Sequence, residues 1–149
     1  MDCRARRERL AGKAGQAGVT ELSPQSLEGR TDAIEEAYEF FLAYASRGLP
    51  AESGSGHEVR SHLKKFDAAL DGLGELLEGC VSRSGRDPGP YHGFIGVIDR
   101  DARDAQAAVR MVLAQTSISS QIIDSLNASI HVRALLTDLF LIDEVLKGQ

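Results

Sequence analysis

The sequence has no tryptophan, only 5% aromatic residues, two cysteines and no long apolar run. No apolar stretch approaches the roughly 18 residues that a bilayer-spanning helix requires, so the sequence predicts no membrane-crossing segment. At 149 residues, the chain is long enough to bury roughly 70% of its unfolded surface. A hydrophobic core is therefore expected to form without metal or disulfides.

The two cysteines lie in contrasting contexts. Cys3 belongs to the N-terminal region, whereas Cys80 occupies an apolar helical position, so both are predicted to be free thiols in a reducing compartment. No apolar segment follows the N-terminal arginines, which argues against a secretory signal. Asp2 and Glu8 are atypical of an organellar transit peptide. These features together predict a cytoplasmic protein.

Charge is distributed unevenly along the chain. Residues 1–30 hold six basic and four acidic side chains and have a net charge of +2. Because the whole chain has a net charge of −5, residues 31–149 have a net charge of −7. Because clustered Lys and Arg supply the affinity of proteins for DNA, this acidic excess argues against nucleic acid as a partner. A short basic stretch rich in glycine and alanine is more often disordered than a tether for nucleic acid or membrane. Residues 1–30 are therefore predicted to form a disordered arm.

Apolar residues recur at three- and four-residue steps in four segments, which predicts four helices near residues 31–47, 58–83, 91–114 and 118–147. The second has an unbroken heptad seam, made of Val59, Leu63, Phe66, Leu70, Leu73, Leu77 and Cys80. Gly72, Gly74 and Gly79 conflict with this helix, since each costs about 1 kcal/mol relative to alanine. Tertiary packing is the favoured compensation, and close approach of another backbone is the alternative.

The connections favour an all-α, antiparallel up-down four-helix bundle over residues 31–149. A capping box at Asp32 and Glu35 predicts that the first helix begins near Thr31. The segment 115–119 contains neither glycine nor proline. A tight turn with Ser117 as N-cap is preferred there, and the alternative is a long helix exchanged between two subunits.

The last predicted helix is apolar over well more than half of its circumference after residue 135. A helix of this kind must be buried on more than one side. A four-helix domain leaves the outer part of each helix in contact with water. The excess of apolar surface on this helix therefore predicts a subunit interface in a homodimer. The predicted interface residues are Leu135, Leu139, Phe140, Ile142 and Leu146.

No residues in the sequence form a recognisable catalytic, cofactor or metal site. An up-down topology places His57 and His62 at the opposite end from His92 and brings only Cys80 near His92, and two ligands do not make a metal site. The last predicted helix carries a line of polar residues that binds a polar ligand, forms the wet face of the helix or fixes helix register across an interface. The candidate ligand-binding residues are Asp124, Asn127, His131, His92 and Cys80.

These features predict a non-catalytic helical interaction or assembly module. The module would self-associate through its C-terminal helix and present an acidic surface to an unidentified protein partner. The alternative is a helical bundle that binds a small ligand or a metal. An enzyme is the third possibility, for which the sequence supplies no assembled set of residues.

Overall fold

The computed structural model describes residues 26–48 and 56–147, and these residues form six α-helices and no β-strand. The helices are α1 (Leu27–Ser46), α2 (Gly56–Leu70), α3 (Leu73–Ser84), α4 (Gly89–Leu113), α5 (Ser120–Ala128) and α6 (Ile130–Lys147). The prediction of an all-α protein is confirmed. Most of the predicted disordered arm, residues 1–25, lies outside the described residues.

Helix α1 begins earlier than the capping box predicts. Ser26 is its N-cap, and the Ser26 Oγ accepts a hydrogen bond of 3.0 Å from the backbone N–H of Gly29. This bond satisfies one of the N–H groups that a helix leaves unpaired in its first turn. Residues 27–30, which were predicted to belong to the disordered arm, are therefore helical.

The predicted second helix is divided into α2 and α3. Gly72 lies at the junction with a φ of +65°, a left-handed conformation that glycine adopts without the steric cost of a Cβ atom. The prediction of one continuous helix was wrong because it did not give Gly72 this role. The heptad seam nevertheless marks the inner face correctly, because all seven of its residues are buried.

The predicted last helix is also divided. Helices α5 and α6 are bent by 53° at the break around Ser129. The predicted turn before α5 is confirmed, although its N-cap is Ser119 and not Ser117: the Ser119 Oγ accepts a hydrogen bond of 3.1 Å from Ile122 N–H.

The described residues include no single helix that is long and apolar enough to cross a membrane. Helices α5 and α6 reach that length and apolar composition only when they are taken together as the bent pair.

Helix α4 is surrounded by other helices: α2 and α3 pack against it, and so does α6, while α1 packs against α2 and α5. The core between α1 and α2 includes an edge-to-face aromatic pair, Phe41 and Phe66, whose ring centroids are 5.7 Å apart. Both side chains are fully buried. The core thus continues between these helices without relying on polar contacts.

Two buried hydrogen bonds join the end of α1 to the turn before α5. The Tyr44 hydroxyl donates to the carbonyl of Ile118 at 2.8 Å, and the Ser120 Oγ donates to the carbonyl of Tyr44 at 3.0 Å. Because both bonds are shielded from water, losing either would leave a buried polar group unpaired. We call this pair of contacts the Tyr44 clamp.

Three arginines each donate to the C-terminal carbonyls of a helix other than their own. Arg30 donates to carbonyls at the end of α2, Arg60 to the Leu113 carbonyl at the end of α4, and Arg86 to the Leu146 carbonyl at the end of α6. A helix leaves its last carbonyls unpaired and carries partial negative charge there. These arginines therefore neutralise three helix ends and tie separate parts of the chain together.

Cys80 is disulfide-bonded, which contradicts the prediction of a free thiol. The sequence has one other cysteine, Cys3, which lies outside the described residues. Cys80 is buried on the inner face of α3, as the heptad seam predicts. Its small apolar side chain fits the seam, but its position on that seam says nothing about whether the sulfur is oxidised.

Candidate interaction surface on the last helix

The predicted interface residues of α6 lie on different faces of the helix. Leu135, Leu139 and Ile142 are buried in the chain's own core, and Leu146 packs against that core in a partly buried position. Phe140 is 61% exposed. The first three residues are therefore unavailable to a second subunit, whereas Phe140 lies on the outer face.

The outer face of α6 carries an apolar surface that we call the α6 strip, formed by Ile130, Phe140, Leu141 and Val145. Their side chains are 74%, 61%, 52% and 43% exposed. Ile130 and Leu141 are eleven residues apart, close to three helical turns, so they lie on the same line along the helix. From Ile130 to Val145 the strip is about 22 Å long.

This exposure is concentrated on one element. Among the described residues, only Leu42 on α1 and Met111 on α4 are comparably large, apolar and exposed, and each is isolated on its helix. Scattered apolar side chains are normal on a protein surface, but several that adjoin on one face are typical of an interaction site. The α6 strip is therefore the strongest candidate functional surface in the described residues.

Opposite charges lie along one flank of the line from Ile130 to Val145, between that line and Phe140. Arg133 is near its N-terminal end and Glu144 near its C-terminal end, both exposed and neither in an ion pair with another described residue. In contrast, Asp143 and Lys147 pair with each other at 2.8 Å across one turn. The flank is thus positive at one end and negative at the other.

The other flank of the strip adjoins a row of ionisable groups between α4 and α6. Burial and the neighbouring carboxyl of Asp101 on α4 raise the pKa of Asp138 on α6 to about 7. The Asp138 Oδ2 atom is shielded from solvent and has no hydrogen-bond partner. Along the same contact, His131 Nδ1 lies 3.9 Å from Asp104 Oδ2. The two helices therefore meet through one carboxyl pair, Asp101 and Asp138, and one histidine–carboxylate contact.

The structure does not gather the predicted ligand-binding residues into one site. Asp124 is exposed on α5, and His131 is exposed at the start of α6. His92 is also exposed and contacts Glu78 of α3, with 2.7 Å between Nδ1 and Oε1, while Cys80 is disulfide-bonded. The described part of the chain contains no group of three or more His, Cys, Asp or Glu side chains that could hold a metal ion.

Asn127 differs from the other ligand candidates because it is 94% buried, being 6% exposed, and neither atom of its amide has a hydrogen-bond partner. Burying an unpaired amide is costly. A buried polar group of this kind favours one register of α5 against its neighbours over others.

A groove of about 330 Å³ lies between α1 and α2. Its base contains four alanines, Ala33, Ala37, Ala68 and Ala69, and its rim contains Arg30, Glu36, His62 and Lys65. The His62 ring stacks on the Phe40 ring with centroids 3.9 Å apart and an interplanar angle of 11°. Two basic side chains, Arg30 and Lys65, against the Glu36 carboxylate make the rim net positive. Alanines facing each other on two helices are the sequence signal for this groove.

The apolar residues nearly all round α6 indicate more apolar surface than one buried side of the helix accounts for. Periodicity alone does not distinguish the residues on the inner side from those on the outer side. Ile130, Leu141 and Val145 were missed for this reason, as was the part played by Asp101.

No protein-family model, curated protein or solved structure matches this chain. The function is therefore argued from the geometry of the α6 strip and its flanks.

Proposed function

We propose that this protein is a non-catalytic helical interaction module that self-associates by pairing the α6 strips of two copies. The observation that supports this proposal is the set of large exposed apolar side chains on α6, with Ile130, Leu141 and Val145 along one line and Phe140 beside it. Burying apolar surface is the main favourable term in association, and each large side chain on the strip is still largely in contact with water.

A second copy of the chain is favoured as the occupant because the strip is complementary to itself. In an antiparallel pair about a two-fold axis, Ile130 of one copy lies opposite Val145 of the other, and Ala134 lies opposite Leu141. The axis passes near Thr137. The same flank of both helices then meets, which brings Arg133 of each copy beside Glu144 of the other. In a parallel pair opposite flanks would meet, so Arg133 of one copy and Glu144 of the other would lie on different sides of the contact.

The size of the strip sets the expected strength of the dimer. A contact about 22 Å long on a single helix buries less than the roughly 800 Å² per partner of a standard stable interface. We therefore expect a reversible dimer with a dissociation constant on the order of micromolar.

Sedimentation velocity across a concentration series tests this proposal. Leu141→Glu is expected to shift the protein to monomer, because it places a charge in the centre of the strip. Leu42→Glu is the matched control: Leu42 is exposed to nearly the same extent, 48% against 52%, but lies on α1. A wild-type chain that stays monomeric at hundreds of micromolar would overturn the proposal.

A charge exchange tests the antiparallel geometry separately. Arg133→Glu and Glu144→Arg should each weaken the dimer, because each places like charges beside one another. Combining them should restore association, since the pairing is regenerated with its signs reversed. Failure of the double variant to recover would reject this orientation even if a dimer forms.

We further propose that the chain forms an up-down bundle of four rods, in which α2 with α3 and α5 with α6 each act as one bent rod. The packing of α1 on α2, of α2 on α4, of α4 on α6 and of α5 on α1 supports this ring of neighbours. We also propose an unidentified protein as a further partner of the acidic surface, supported by the net charge of −7 on residues 31–149.

A second candidate function is the binding of a small organic anion in the groove between α1 and α2. Its volume falls within the range of ligand sites, and its apolar base and basic rim suit a carboxylate on a short carbon chain. Chemical-shift perturbation on addition of butyrate tests this proposal. Lys65→Glu should abolish the perturbation, whereas Lys64→Glu, which changes an adjacent exposed lysine outside the groove, should not.

A further inference from the structure

The acidic contact between α4 and α6 lies at the edge of the α6 strip. Asp138 precedes Leu141 by three residues, so its side chain projects beside the strip, on the flank opposite Arg133 and Glu144. Its carboxyl meets that of Asp101, and its Oδ2 atom is shielded from solvent with no hydrogen-bond partner. The two carboxyls can hydrogen-bond only when one of them holds a proton.

We propose that one proton shared by Asp101 and Asp138 controls self-association through the α6 strip, favouring the dimer when it is bound and opposing the dimer when it is lost. This inference rests on the proposed function and adds its regulation. The role assigned to the two carboxyls is control of dimerisation, which exists only if the chain forms a dimer.

The antiparallel pair explains why the proton affects association. Residues on the same flank of two antiparallel helices meet, and Asp138 lies close to the two-fold axis, so the Asp138 side chains of the two copies approach each other. Two charged pairs in that position would repel each other, and the second copy would also exclude water from them. The dimer must therefore bind protons more tightly than the monomer, and lowering the pH must favour it.

Other charged groups also lie near Asp138. On α4, Asp104 faces His131, with 3.9 Å between Asp104 Oδ2 and His131 Nδ1. The only ionisable residue of α5 is Asp124, which is exposed. Arg86 binds the far end of α6 through the Leu146 carbonyl and keeps its charge throughout.

The flank formed by Arg133 and Glu144 lies on the other side of the line from Ile130 to Val145 and does not contact the carboxyl pair. The pH dependence of the dimer can therefore be assigned to the flank that contains Asp138.

The test is the dimer dissociation constant of the full chain, measured by sedimentation equilibrium at pH 5.5, 7.0 and 8.5 in a buffer of constant ionic strength. We expect the wild-type constant to rise about tenfold or more from pH 5.5 to pH 8.5, since each unit by which dimerisation raises the pKa of a carboxyl changes the ratio about tenfold. Asp138→Asn keeps the shape and donates a hydrogen bond to Asp101 at every pH, so its dimer should be tight and much less dependent on pH. Asp124→Asn is the matched control and should behave as the wild type does.

The possible results are distinguishable. A dimer whose strength is the same at pH 5.5 and 8.5 overturns this inference and leaves self-association standing. An Asp138→Asn dimer that follows pH as steeply as the wild type does also overturns it, because the response then belongs to another group. A monomer at every pH overturns both the inference and the proposed function.

Discussion

Gly74 of α3 lies against Asp99 of α4 so closely that a Cβ atom at position 74 would stand 2.8 Å from the Asp99 Cβ and 2.7 Å from its Oδ1. Real Cβ atoms do not approach each other at this distance, so a side chain at position 74 would force the two helices apart. Gly74 therefore makes room for a neighbouring side chain, that of Asp99, and not for another backbone. Gly72 has a different role, because it provides the left-handed turn between α2 and α3.

Gly74→Ala should lower the free energy of unfolding by about 1–3 kcal/mol, because separating α3 from α4 costs more than the helix propensity that alanine adds. Gly79→Ala is the control on the same helix: its new Cβ would meet only the flexible end of Arg83, at 3.1 Å. This variant should be neutral or slightly stabilising. Urea denaturation of both proteins measures the difference, and equal effects would contradict the close packing at Gly74.

Asp138→Asn should stabilise the folded chain at pH 8 and have little effect at pH 4. Burial and Asp101 raise the pKa of Asp138 from 3.8 to about 7, so the folded state holds a proton that the unfolded state releases. The stability that this proton supplies is complete below pH 3.8 and is lost as the pH rises through 7. After allowance for solvent exposure, we expect a gain of about 1–2 kcal/mol at pH 8.

The measurement is thermal unfolding of the wild type and of Asp138→Asn from pH 4 to pH 9, at a concentration low enough to keep the chain monomeric. The two melting temperatures should diverge as the pH rises. Curves that stay parallel would mean that Asp138 titrates in the folded chain as it does in the unfolded chain.

Arg60→Met should destabilise the chain by about 1–2 kcal/mol, because it leaves carbonyls at the end of α4 without a charged donor. Arg110→Met removes a side chain from the same end of α4 that forms an ion pair with Asp67 at 3.0 Å. Exposed ion pairs contribute little, so this control should change stability by less than about 1 kcal/mol. Chemical denaturation distinguishes the two, and the reverse order would reject the capping role of Arg60.

Leu135→Ala should cost about 2–5 kcal/mol of unfolding free energy, as expected when a fully buried leucine is removed. Phe140→Ala, on the outer face of the same helix, should change monomer stability by less than about 0.5 kcal/mol while weakening self-association. Denaturation at dilute concentration tests the first effect, and sedimentation tests the second. A large stability loss at Phe140 would show that this ring belongs to the core.

The sequence could predict which residues are buried better than it could predict where helices end. The seven-residue seam from Val59 to Cys80 indicates the inner face correctly because burial follows the helical repeat, whatever the local chain direction. The break at Gly72 interrupts the helix without moving the seam, so periodicity does not reveal it. The early start of α1 at Leu27 was likewise missed, because Ser26 and Asp32 both satisfy the rules for an N-cap.

The surface residues were harder to predict for a different reason. Leu135 and Leu141 are chemically identical, and only the position of α4 determines which one is buried. The pair formed by Asp101 and Asp138 joins side chains 37 residues apart, a relationship that no local pattern contains. The oxidation state of Cys80 also depends on a long-range pairing, and its apolar helical position gave the opposite prediction.

The Tyr44 clamp has a consequence for the kinetics of assembly. Both of its hydrogen bonds are buried within one chain, so the segment formed by α5 and α6 is held against α1 of the same chain. This segment is therefore not exchanged with a second subunit. Two subunits must therefore associate as fully folded chains, without exchanging α5 and α6. When tagged and untagged protein are mixed, dimers that contain one chain of each kind should form within the dead time of mixing and not over hours. No subunit has to unfold in order to exchange its partner.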